Sequence, residues 1–113
     1  MKLNNTNLRL YWGHRLSIIY SKYHTLTEMY YFFESLQTLQ AMCKKHTKLC
    51  ELHCNTGEEY NKLEKLEAKI TDFIFHKFFW QDKNYVLKFN RDPRAYTVDL
   101  TWHNEDISQV LYL

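Results

Sequence analysis

From residue 26 to residue 54 the chain runs without a glycine or a proline, and two copies of one helix-start pattern bracket that run. Thr25 stands three residues before Glu28, and Thr56 stands three residues before Glu59. In this spacing the Thr hydroxyl accepts an early amide while the Glu side chain reaches back to the cap. Two helices are expected, the first ending near "CNTG" and the second running from there toward residue 80. Along the first, Leu36, Leu39, Cys43, His46 and Cys50 recur at three- and four-residue steps. Along the second, Leu63, Leu66, Ile70 and Phe73 do the same, and the stripe continues toward Phe78. Each stripe needs a partner surface. So short a connection makes the helices antiparallel. Glu58 and Lys62 stand at the favourable spacing for an ion pair on the second helix.

Folding the chain about Asn55–Thr56 brings Tyr30–Phe33 beside Phe78–Trp80, and Leu36 beside Phe75. Aromatic residues make up 17% of the chain, and Tyr30, Tyr31, Phe32 and Phe33 point all round their helix, so a further layer must cover them. The C-terminal third supplies it. Tyr85, Leu87 and Phe89 alternate with Val86 and Lys88, and Tyr96, Val98, Leu100 and Trp102 alternate with polar residues. Period-two patterning of this kind reads as a β-hairpin, and Asp92-Pro93 suits its turn. After "HNED", the tail "ISQVLYL" fits either a third strand or a short helix. At the other end, "NLRLYW" reads as extended and "HRLSIIYSKY" as weakly helical.

The expected fold class is therefore α+β: a long antiparallel helical hairpin packed on a small antiparallel β-sheet. One domain covers 1–113, with a basic, aromatic N-terminal segment at 1–24, the helical hairpin at 25–80, and a β-hairpin and tail at 84–113. Within it the β-hairpin spans 84–102, with room for a third strand near the C-terminus. The length suits one domain. Two glycines and one proline are too few for a many-turned β sandwich. No apolar run approaches a membrane span and no secretory leader is visible, so a cytoplasmic protein with reduced thiols is expected.

The stretch "CKKHTKLCELHC" gathers all three cysteines and two histidines between Cys43 and Cys54. One helix carries them over roughly 15 Å, too far for a single ion. A subset of His46, Cys50 and Cys54 is compact enough, but zinc wants a fourth ligand that the second helix does not offer. A Cys50–His46 dyad has no orienting acid legible in the sequence, and a helix C-terminus disfavours the thiolate. The expectation is a helix interior, with no cofactor and no catalytic residue. Two other groups of residues suit binding. Arg9, Trp12, Arg15 and Lys22 mix cations with an indole in a segment free of acids, as a nucleic-acid backbone and stacked bases require. Arg91, Asp92 and Arg94 sit together in "NRDPRA", where two arginines could grip a carboxylate or phosphate of a partner.

The order of features from "CN" through "KLEAKI" to "VLKFNRDPRAYTVDL" resembles a group of small bacteriophage and mobile-element proteins. In that group a helical hairpin ends in a strand and a "DPRGY"-like turn. The likeness covers about residues 45–100, and Ala95 stands where the group usually has glycine. It implies a phage-type accessory protein in the cytoplasm of a bacterial host, one that binds and modulates a host protein or nucleoprotein complex. The narrowest form of that expectation is an inhibitor of a bacterial defence system, of the anti-CRISPR kind. A nucleic-acid-binding module is the alternative, and a metal-binding or thiol enzyme the third.

Overall fold

The computed structural model describes residues 5–52, 57–79, 82–91 and 96–113. Three helices come first: α1 Asn5–Tyr23, α2 Leu26–Glu51 and α3 Gly57–Phe73, the last running on into a π-helical turn at Ile74–Phe78. A sheet of three antiparallel strands comes next, in the order β1 Tyr85–Phe89, β2 Val98–Trp102 and β3 Glu105–Asp106. A 3₁₀ turn at Ser108–Tyr112 ends the described chain. The fold is α+β. Among the described residues no helix is long and apolar enough to cross a membrane.

The N-terminal expectation needs correction. "NLRLYW" is not extended but forms the first turns of α1, continuous with the segment expected to be helical. Trp12, Leu16, Ile19 and Tyr20 lie at helical steps and are buried, while Leu10, Tyr11, Ile18 and Tyr23 on other faces are exposed. Apolar residues on every face blur the period that a sequence reading relies on. Packing of the inner four against the hairpin decides the conformation.

The start of α2 is as expected. Thr25 Oγ1 accepts the Glu28 amide at 3.3 Å, and the Thr25 amide donates to Glu28 Oε2 at 3.3 Å. The matching box at Thr56 lies outside the described residues. Glu58 and Lys62 approach to 3.9 Å on the open surface, where such a pair adds little to stability. Helix α2 buries Phe32, Leu39, Cys43, His46 and Cys50, and α3 buries Leu63, Leu66 and Ile70. At the open end of the hairpin the Phe32 and Phe78 rings stack with centroids 4.4 Å apart, in the expected antiparallel register. The π turn changes which side chains face the core at this end. Phe79 donates its amide to Ile74 O, five residues back, at 3.2 Å. One extra residue in the turn lets Ile74, Phe78 and Phe79 all face inward. Phe75, expected beside Leu36, is exposed instead.

In the sheet, Tyr85 faces Trp102, Leu87 faces Leu100, and Phe89 faces Val98. Directly opposed residues share a face, so these six form the inner surface, while Val86 and Lys88 turn outward. The third strand comes from "HNED", not from the tail. His103 and Asn104 have φ of 47° and 66°, the pair of left-handed residues that a tight two-residue hairpin requires, and Trp102 pairs with Glu105 across it. The tail takes the short-helix alternative. Asp106 Oδ1 starts that turn by accepting the Ser108 amide at 2.9 Å.

The layer needed over the α2 aromatics comes from both flanks. Trp102 lies 5.3 Å from Phe32, 5.0 Å from Phe79 and 5.6 Å from Tyr20, measured between ring centroids. Phe32, not Phe33, is the fully buried member of its pair. Replacing Phe32 or Phe78 with Ala is expected to lower stability by about 3–5 kcal/mol, as large-to-small core changes do. Chemical denaturation of each variant checks this, and Phe33→Ala should cost clearly less.

Candidate functional site

The residues singled out on α1 divide between core and surface. Trp12 is buried, and its indole N–H donates to Gln109 Oε1 at 2.9 Å, so it holds the C-terminal turn and offers no stacking platform. Arg15 donates to Glu105 on β3 and to the Tyr11 hydroxyl, and its guanidinium lies over the Tyr11 and Trp12 rings. The bonds to Tyr11 and Glu105 hold its pKa above the ordinary value. Arg9 and Lys22 remain exposed, with no carboxylate within ion-pair distance among the described residues. Of the four, Trp12 is thus taken up by the core and Arg15 by Glu105, which leaves Arg9 and Lys22 as the exposed cations.

Of the second group Arg91 alone is described, and it turns inward. Arg91 grips Glu67 on α3 with both ends of its fork, Nε to Oε2 at 3.0 Å and Nη2 to Oε1 at 2.7 Å. Its guanidinium also lies 5.0 Å from the centroid of the Tyr60 ring. The partner-gripping role expected of Arg91 is thus met inside the molecule, where it ties the end of β1 to α3. Asp92 and Arg94 lie outside the described residues. His46, from the metal-ligand subset, places Nε2 at 2.7 Å from Glu67 Oε2 and Nδ1 at 3.9 Å from Cys50 Sγ. Burial alone would raise the Glu67 carboxyl, but the bonds from Arg91 and His46 outweigh it and hold the pKa below its ordinary value.

Cys50, His46 and Glu67 thus stand in the order of nucleophile, base and orienting acid, with the acid that no sequence spacing revealed. The order does not make them reactive. His46 is 0% exposed and Cys50 is 3% exposed, so a substrate atom has no approach to the sulfur. Cys54 lies outside the described residues. Among the described residues no three His, Cys, Asp or Glu side chains are arranged to hold a metal ion. Burial pushes the Cys43 thiol up to about 12, the behaviour of a core residue. Purified protein is expected to carry well under one zinc per chain by elemental analysis. Treatment with a chelator should leave its melting temperature unchanged.

A third cluster escaped the sequence reading altogether. Asp82 Oδ2 accepts from Trp102 Nε1 at 3.0 Å and lies 2.9 Å from His24 Nε2 and 2.7 Å from His103 Nε2. Its Oδ1 accepts the Asn84 amide at 2.9 Å. His24 places Nδ1 at 2.8 Å from Glu28 Oε2, so its ring donates to both carboxylates only as the imidazolium. His103 also stacks flat on Tyr23, with centroids 3.8 Å apart. Burial alone would raise the Asp82 carboxyl, but the bonds from Asn84, His24, His103 and Trp102 overcome it and hold it at about 2. The folded pKa lies below the unfolded value of 3.8, so Asp82 stabilises the fold above that pH. Its contribution, on the order of 2 kcal/mol, fades as pH falls from about 4 toward 2. Asp82→Asn is expected to lower stability at neutral pH and to flatten the acid limb of a stability–pH profile. Glu67 and Asp106 shift in the same direction, so the limb shrinks without vanishing.

Surface features differ in kind. Leu26 is 81% exposed and Tyr30 is 69% exposed, and both line a shallow concavity of about 600 Å³ with Met29, Phe33, Glu34 and Gln37. A second concavity of about 540 Å³ adjoins it through Phe33 and Gln37 and continues between α1, α2 and the C-terminal turn. Together they form one apolar trough along α2. No family model, curated protein or solved structure matches the chain.

Proposed function

We propose that this is a non-catalytic binding module that docks a protein partner through the trough begun by Leu26, Met29, Tyr30 and Phe33. One observation carries the reading: large apolar and aromatic side chains stand exposed together on a rigid, capped helix. Aromatic residues and Met are the side chains enriched at the centre of protein interfaces. By contrast, the titratable clusters at Glu67 and Asp82 direct their polar atoms at one another. The resemblance of residues 45–100 to small bacteriophage proteins supports a bacterial protein or nucleoprotein as the partner. A subunit of a defence complex, as for an anti-CRISPR inhibitor, is the most specific form of the proposal.

The test is affinity capture from bacterial lysate with and without nuclease, using the protein and the double variant Leu26→Asp/Tyr30→Asp. Both positions are exposed, so the variant should melt as the parent does. The expected result is a stoichiometric protein that survives nuclease treatment and is lost with the variant. Capture that vanishes with nuclease, or that the variant keeps in full, contradicts the reading. The former outcome favours nucleic-acid binding, for which the exposed Arg9 and Lys22 are the residues to replace. Affinity for an oligonucleotide would then fall steeply with salt and lose slope in Arg9→Ala/Lys22→Ala.

A further inference from the structure

A different surface, at the other end of α2, has chemistry of its own. Lys45 on α2 and Lys62, Lys65 and Lys69 on α3 line one groove of about 470 Å³, whose remaining wall is Leu49 and Leu66. All four lysines are exposed. Lys62 has a distant, solvent-exposed Glu58 at 3.9 Å, whereas Lys45, Lys65 and Lys69 have no carboxylate within ion-pair distance among the described residues. The chain as a whole carries a net charge of only +2, so this concentration is local. The cations extend past the groove. A neighbouring concavity of about 500 Å³ shares Lys45 and adds Lys44 and Lys48, with Glu51 as its one acid.

Like charges held side by side repel, and nothing in the hairpin's packing requires them, since Leu63, Leu66 and Ile70 already bury the inner stripe of α3. Lys62, Lys65 and Lys69 lie at steps of three and four and span roughly 10 Å of one ridge of α3. An acidic ligand helix with carboxylates at the same steps would meet them one for one. Two antiparallel helices also present the kind of shallow groove into which the apolar ridge of a third helix packs. The wall between the lysines is aliphatic. A single-stranded nucleic acid would instead call for aromatic or arginine planes on which bases stack.

We infer that the groove between α2 and α3 binds an acidic amphipathic helix of a partner protein. Leucine-type residues of that helix lie on the half-buried Leu49 and on the methylene stems of the lysines. Its Asp or Glu side chains meet the ammonium groups of Lys45, Lys62, Lys65 and Lys69. This site shares no residue with the trough at Leu26 and Tyr30, and it stands whether or not that trough binds anything.

Fluorescence anisotropy on the full chain tests it with a labelled helical peptide carrying Leu at three- and four-residue steps, flanked by Glu. A Glu→Gln version, a scrambled version and an oligothymidine serve as comparison probes. The expected result is saturable binding of the acidic peptide, weakened at least about tenfold by the Gln version, by scrambling, and by Lys65→Glu/Lys69→Glu. A peptide with Lys in place of Glu should regain affinity for that charge-reversed protein, which a merely unfolded variant would not show. Leu26→Asp/Tyr30→Asp should bind the acidic peptide as the parent does. Equal binding of the acidic and Gln peptides, or no effect of the charge reversal, overturns the inference. Tighter binding of oligothymidine than of the acidic peptide overturns it too, reassigning the lysines to a phosphate backbone.

Discussion

Asp82 joins three parts of the molecule through one largely buried carboxylate. Its carboxylate meets His24 at the end of α1, Trp102 at the end of β2 and His103 in the turn to β3. The same Trp102 packs its ring on Phe32 of α2, Phe79 beyond α3 and Tyr20 of α1. One indole therefore has an apolar face in the core and an N–H on the buried carboxylate, the pairing that a buried tryptophan requires. The left-handed backbone at His103 has a cost for a residue other than glycine. Its ring contacts with Asp82 and Tyr23 offset it.

This economy shapes what the surface has left to offer. The residues with the most chemical potential are engaged within the fold: His46 and Arg91 on Glu67, His24 and His103 on Asp82, Arg15 on Glu105. Breaking the contacts to Glu67 or Asp82 leaves a largely buried carboxylate without its partners, which is why those groups act as ties. The Arg15–Glu105 pair, by contrast, lies on the open surface. Among the described residues, two features that face outward are an apolar trough on α2 and a row of lysines along α2 and α3. Both are shapes and charges suited to another macromolecule.

The hairpin and the strands were legible because their signals are local. Thr25 with Glu28, the stripe through Leu63, Leu66 and Ile70, and the alternation from Val98 to Trp102 all lie within a few residues of each other. Helix α1 was half hidden, since Leu10, Tyr11 and Ile18 carry apolar groups on its solvent side. The third strand was allowed for but placed too late, in the tail, because His103-Asn104 forms its turn without the glycine that usually marks one. The Asp82 cluster draws on residues 24, 28, 82, 84, 102 and 103, and no spacing connects them. One clue was present: Trp102 falls on the inner face of a strand, so its N–H needed an acceptor. The Glu67 site failed for a related reason, since the acid that orients His46 sits a whole helix away. The lysine groove was overlooked because Lys45 and Lys65 meet only after the hairpin has formed.

With Trp102 and Asp82 tying them together, α1, the hairpin and the sheet should unfold as one unit. Native-state hydrogen exchange read out by NMR tests this most directly. The Trp102 indole N–H, the amides from Leu16 to Tyr20, and those of Leu39 and Ile70 should share one opening free energy, equal to that of global unfolding. Fast exchange of α1 and of the indole while Leu39 and Ile70 stay protected would contradict it, showing that α1 and the sheet are appended to a hairpin that holds by itself.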